Sequence, residues 1–146
     1  MNTNLAIPFA LRAIETHQFA VIKESFKKDS EIELQVGVNV GASDENHSVS
    51  IFFEIRFLSD QIPFIILEIE CQFEIEVEAY SRFFNENKTE LKIPSGLCQH
   101  LGVITVGTAR GILYEKLRDS DFDYLLLPTV DLTVQLSEDI VLTKEK

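Results

Sequence analysis

The chain has no tryptophan, one methionine, two cysteines, and only 13 basic residues against 24 acidic ones. No apolar run approaches the ~20 residues that a membrane-spanning helix requires, so no such helix and no membrane insertion is expected. Two cysteines cannot build a disulfide framework. Cys71 falls on the apolar side of an alternating segment and Cys98 at the opening of a helical one, so both read as small core residues in a reducing cytoplasm. The shortage of cations leaves a net charge of −11, which disfavours nucleic acid and anionic lipid surfaces because their phosphates would be repelled. His17, His47 and His100 are scattered, without metal-ligand spacing to the cysteines. Walker loops, GxGxxG, nucleophile elbows and HExxH are all missing, so the expectation is a non-enzyme without a cofactor. The stretch MNTNLAIPFALRAIE has no basic region ahead of its apolar residues and carries Pro8 among them, unlike a signal peptide. The glycosylation-type triplets at 46–48 and 87–89 then read as chance matches.

What is present is the makings of one core. A chain of 146 residues, 45% hydrophobic and with eleven phenylalanines, suits a single domain. Residues 11–25 alternate loosely, as a strand with a bulge would. Residues 31–43 alternate cleanly, turning Ile32, Leu34, Val36, Val38 and Val40 to one side. SDENHS (43–48) is a polar turn, and Val49, Ile51, Phe53, Ile55 and Phe57 form the next inward row. After a turn at 60–63, residues 64–78 return. Short connections between alternating strands predict a four-stranded antiparallel meander over 11–78 with one wet face.

The last of these segments contains LEIECQFEIEVE, which places Glu68, Glu70, Glu74, Glu76 and Glu78 on one parity with Gln72, against Leu67, Ile69, Cys71, Phe73, Ile75 and Val77. Carboxylates on one strand face stand about 7 Å apart, and each like-charge neighbour costs roughly 0.6 kcal/mol in water. Burying the opposite row contributes roughly 1.5–3 kcal/mol per large side chain, as an upper estimate. Burial wins, so the row needs no functional reward. It reads either as a solvated face or as a docking surface for a basic partner. Parallel solvated glutamates have nothing to split their pKa values and make poor catalysts.

Residues 79–96 form a polar crossover holding Tyr80, Phe83 and Phe84. Residues 97–119 predict a long helix with Ser95 as N-cap. Its apolar residues form two stripes, one of Leu97, Leu101, Ile104, Thr108 and Ile112, the other of Val103, Val106, Leu113 and Leu117. A doubly apolar helix touches two things. Gly107 and Gly111, each costing about 1 kcal/mol relative to alanine, call for a close neighbour, so Gly107, Gly111 and Leu113 are placed near an interface of a homodimer or homotetramer. The arm 120–146 is extended around Pro128, with Val130, Leu132, Val134 and Leu136 alternating as in a last strand. The fold class is therefore α+β, a sheet covered on one face by a long C-terminal helix.

Ala109-Arg110, then Phe122, then Leu125, Leu127, Pro128, Val130, Asp131 and Leu132 follow one another as in the SecB family of bacterial export chaperones, which the chain resembles in element order over nearly its whole length. Gly107 and Thr108 stand where that family usually has proline and an aromatic residue. The resemblance implies an ATP-independent chaperone, a dimer of dimers that holds unfolded or precursor polypeptides in apolar grooves and hands them to the translocase motor SecA. That motor docks partly on an acidic sheet face, a place that Glu68, Glu70, Glu74, Glu76 and Glu78 would suit. Tyr80, Phe83 and Phe84 are the candidate client-binding residues. A narrower form is a SecB-like chaperone dedicated to one client, such as an antitoxin. The competing class is a small hot-dog-type enzyme. Its long helix comes early and carries or adjoins an acidic or histidine catalyst, whereas the helix here is late and has Thr105, Thr108 and Arg110 at its centre.

Overall fold

In the computed structural model, which describes residues 7–143, alternation becomes sheet. Residues 1–6, where the stretch weighed as a signal peptide begins, and residues 144–146, the end of the arm, lie outside the described residues. Strands β1 (Phe9–Val21), β2 (Ile32–Ser43), β3 (Ser48–Ser59) and β4 (Ile62–Ile75) are followed by the short helix α1 (Val77–Ser81) and strand β5 (Glu90–Ile93). Helix α2 (Ser95–Leu117), the one-turn helix α3 (Leu132–Gln135) and strand β6 (Ile140–Thr143) complete the chain. The α+β class, the four-stranded antiparallel sheet and the long covering helix are as expected.

The strand order is β1-β4-β3-β2. Strands β2, β3 and β4 form a meander, joined at one end by Asp60 and Gln61, both at positive φ, the backbone of a tight two-residue hairpin. Strand β1 sits beyond β4 instead of beside β2. Its irregular sequence explains the placement: the register slips between Leu11 and Ala13 and again between Thr16 and Gln18, bulges that only an edge strand absorbs cheaply.

The core lies between the two central strands and α2. Ile51 stands opposite Cys71, Phe53 opposite Ile69 and Ile55 opposite Leu67, and all six are buried. The Thr105 and Thr108 hydroxyls face the Cys71 thiol, so the helix covers the apolar rows and leaves Glu68, Glu70 and Glu74 on the opposite side. Leu34, Val36, Val38 and Val40 of β2 are only half-buried, because α2 lies over β3 and β4.

Helix α2 starts with Ser95 as its first residue after Pro94, without a side-chain cap of its own. Asp139, 44 residues away, accepts a hydrogen bond from the Ser95 amide at 2.8 Å and so does the capping that local sequence assigned to Ser95. The helix also has one buried side where two stripes were expected. Leu97, Cys98, Leu101, Gly102, Thr105, Val106, Ala109, Leu113 and Leu117 are buried, while Val103 is 63% exposed. Leu113, expected at an interface, is a core residue at 0% exposure.

The arm is fixed at three points. Phe122 closes an aromatic triangle with Phe26 and Phe64, with centroids 5.0–5.2 Å apart. Leu132 and Leu136, one helical turn apart, are buried over α2, and β6 pairs with β5. The expected strand at 130–136 is thus α3 instead: Asp131 caps it through the Thr133 amide, and the i, i+4 leucine pair replaces the two-residue period.

A Cβ on Gly102 would fall 2.8 Å from Leu132 Cδ1 and 3.3 Å from Leu136 Cδ1, whereas one on Gly107 or Gly111 would meet nothing within 4 Å. Gly102→Val is expected to lift α3 from α2 and cost about 1–3 kcal/mol. Gly107→Ala and Gly111→Ala should each stabilise an isolated chain by about 1 kcal/mol. Urea unfolding midpoints of the three variants check the contrast.

Candidate functional site

The crossover aromatics belong mostly to the core. After Ile75 the chain leaves the sheet and coils into α1, which turns Tyr80 and Phe83 under the crossover, to 1% and 6% exposure. Tyr80 Oη donates to Asp44 Oδ1 at 2.6 Å, and its ring meets His47 edge-on at 5.6 Å. Burial raises the Tyr80 pKa, and Asp44 raises it further, so the phenol stays protonated. Phe83 and Phe84 pack against Tyr80 with centroids at 5.8 Å. Tyr80 and Phe83 therefore cannot face a client from this conformation. Phe84 is half-buried and lines a depression with Arg82, Asn85, Glu90, Lys92 and Val141.

Exposed apolar side chains lie at Leu11, Ile14, Ile32 and Ile62 of the sheet, as well as along α2 and the arm. Between them runs an open trough of about 620 Å³ lined by Gly96, Gln99, His100, Val103, Val130 and Thr133 among others. Val103 stands exposed in its wall, and the arm adds Leu126 at 58% and Val134 at 73% exposure. The arm is held there by Arg110, whose Nε donates to the Leu127 carbonyl and Nη2 to the Pro128 carbonyl, both at 2.9 Å. Gln99 Nε2 donates to the Leu136 carbonyl at 2.8 Å. The Ala-Arg pair and the Leu-x-Leu-Pro segment, separate in sequence, are thus two halves of one joint. Leu126 and Val134 were not legible as exposed: each sits in an apolar run whose neighbours are buried, and only packing decides which member faces out.

The acidic row is shorter and less bare than its sequence suggests. Glu68, Glu70, Gln72 and Glu74 share the outer face of β4, but Glu76 lies past the strand end and Glu78 within α1, so those two leave the row. Val77, expected to be buried, is 57% exposed for the same reason. Arg12, carried by the first β1 bulge, pairs with Glu74 at 2.6 Å. His17, carried by the second, meets Glu70 at 2.8 Å. Glu70 is only 8% exposed. Burial pushes its pKa up, but hydrogen bonds from Ser50, His17 and Gln72 outweigh that and hold it below the usual carboxylate value. Glu68 lies opposite Glu54 of β3, a like-charge pair, with Arg56 3.3 Å from Glu54.

Both thiols are buried. Desolvation, then the charge of Asp139, pushes Cys98 up to about 11, and desolvation raises Cys71 as well, which keeps both as unreactive thiols at neutral pH. No described helix is long and apolar enough to cross a membrane.

No family model matches the chain, and no curated protein matches it. Among solved structures, the chain is similar to the SecB-like chaperone Rv1957 of Mycobacterium tuberculosis, determined in complex with a ChAD peptide from the Rv1956 HigA1 antitoxin. The identity is 19%, the match spans 94% of this chain and 86% of that one, and the TM-score is 0.36.

The two adjacent phenylalanines should behave differently on truncation. Phe83→Ala, which empties a core site, is expected to cost about 3–5 kcal/mol. Phe84→Ala, at a half-buried site, should cost clearly less. Thermal and urea unfolding of both variants makes the comparison.

Proposed function

We propose that this chain is a SecB-like chaperone that binds non-native polypeptides without a nucleotide or other cofactor. The observation that carries the reading is the open apolar trough between α2 and the arm, with Val103 in its wall and Leu126 and Val134 exposed on the arm. A protein that holds clients without an energy source depends on apolar contact, and each aliphatic anchor contributes on the order of 1.5–3 kcal/mol when fully buried. Several such contacts repeated over an oligomer give avidity with rapid release of each. The net charge of −11 favours solubility of the loaded form. The resemblance in residues 109–132 supports the same reading, since its residues make the joint that holds the arm over α2. Phe84 is the one crossover aromatic placed to add to the client surface.

Two finer assignments belong to the proposal. The first is a basic partner, such as the motor SecA, docking on Glu68, Glu70 and Glu74, with Glu76 and Glu78 at the end of the ridge. Export and dedication to a single client are both compatible with such a surface. The second is a homodimer or homotetramer. Gly107 and Gly111 present an open, small-residue face flanked by Val103 and Tyr114, the latter 54% exposed. A face that lacks side chains lets another backbone approach closely, which offsets the cost of glycine inside a helix.

Suppression of aggregation of an unfolded model protein tests the function. Val103→Ser/Leu126→Ser/Val134→Ser should capture the client several-fold less well at an unchanged thermal midpoint, and undiminished capture would overturn the assignment. Assembly is read by light scattering. At tens of micromolar the parent should run as a dimer or tetramer, and Gly107→Leu/Gly111→Leu should dissociate it; a monomeric parent would remove the interface.

A further inference from the structure

Around the second bulge of β1 lies a donor set apart from the client-binding trough. His17 Nε2 is 2.8 Å from Glu70 Oε1 and 4.0 Å from Glu15 Oε2. One donor atom from each of the three residues lies within 4.8 Å of the other two. Among the described residues, neither Glu15 nor Glu70 forms an ion pair with lysine or arginine. We propose that Glu15, His17 and Glu70 form a binding site for a divalent transition-metal ion of the zinc class, riveting β1 to β4.

Three features of the surroundings build the site. Glu15 stands opposite Glu70, and His17, two residues further on, shares that face by strand alternation; the register shift between Thr16 and Gln18 leaves His17 as the extra, unpaired residue. The His17 ring stacks on Phe52 of β3 at 6.2 Å and 24°, which fixes the plane of the imidazole. Gln72 Nε2 donates to Glu70 Oε2 at 3.1 Å, and Ser50 also bonds this carboxylate. One oxygen is thereby held, and the other is turned toward His17. A ligand carboxylate oriented by outer hydrogen bonds is the usual support of a metal centre.

The donor chemistry selects the ion class. One imidazole nitrogen and two carboxylate oxygens suit zinc and its neighbours, whereas calcium and magnesium favour all-oxygen shells. Metal–ligand bonds of about 2.0–2.2 Å place tetrahedral donors roughly 3.4 Å apart, a spacing between the two observed here. Glu70 and the ring would separate by a few tenths of an ångström, and the exposed Glu15 side chain would swing inward. In the bound form Nε2 is unprotonated and the ring proton sits on Nδ1. The neighbouring negative charge of Glu68 and Glu54 raises the local concentration of cations. The site is independent of client binding, because it lies on the sheet face opposite α2; it shares only Glu70 with the proposed docking surface.

Calorimetric titration of the full chain with zinc chloride, in a non-coordinating buffer, tests the proposal. One ion per chain is expected, with affinity falling at least tenfold in His17→Ala, Glu70→Gln and the surface variant Glu15→Gln, and unchanged in His47→Ala and His100→Ala. Circular dichroism establishes that each variant folds. Histidine ring NMR of the parent chain gives a reading that needs no variant: zinc should move the His17 signals and leave those of His47 and His100 in place. Absence of saturable binding, binding that survives His17→Ala, or shifts confined to His47 or His100 would overturn the site.

Discussion

The fold depends on the contact between α2 and the inner rows of β3 and β4. Val49, Ile51 and Ile55 of one strand and Leu67, Ile69, Cys71 and Phe73 of the other are fully sequestered, and the helix supplies Leu101, Thr105, Ala109 and Leu113 against them. Thr105 is tolerated there because its hydroxyl donates to the Leu101 carbonyl within its own helix, so no polar group is left unpaired. With this layer formed, everything else is placed by what it leaves uncovered. The inner row of β2 extends past the helix, and the two edge strands keep one open side each. The arm packs its Leu132 and Leu136 on α2 at Gly102.

The arm shows how few contacts are needed to convert a tail into structure. Arg110 holds two successive carbonyls, Asp139 caps the helix start, and Gly102 gives Leu132 and Leu136 a surface to lie on. These are hydrogen bonds and van der Waals contacts at the helix surface, each worth little alone. Their joint effect is to order the arm beside the trough while leaving apolar side chains exposed on it. A segment that is ordered yet leaves Leu126 and Val134 in water suits a surface that must take up and release polypeptide.

The outer sheet face is governed by a different balance. A row of carboxylates on one strand is tolerable in water, but Glu70, between β1 and β3, is only 8% exposed, and a buried carboxylate needs partners. His17, Ser50 and Gln72 supply them for Glu70, and Arg12, the extra residue of the first bulge, pairs with exposed Glu74. The face is therefore partly neutralised at its β1 edge, and it stays strongly acidic around Glu68 and Glu54.

Sequence by itself determined the four strands of the main sheet, the long helix and the sidedness of the sheet, because each follows from a local period of 2 or 3.6 residues set by backbone geometry. The inward rows at 49–57 and 67–75 and the outer-face position of Glu68, Glu70 and Glu74 were legible in that way. Tertiary structure decided the rest. That β1 lies beside β4, that Tyr80, Phe83 and Leu113 are core, and that Asp139 caps a helix 44 residues away are outcomes of long-range packing. Periodicity ranks residues as apolar or polar along one element, but it cannot say how far a covering element reaches. That reach separates a buried Phe83 from a half-buried Phe84, and a buried Leu132 from an exposed Val134. The pairing of His17 with Glu70 rests on the same physics: two residues 53 apart meet because β1 lies beside β4, with Glu15 opposite Glu70 and His17 on the same face.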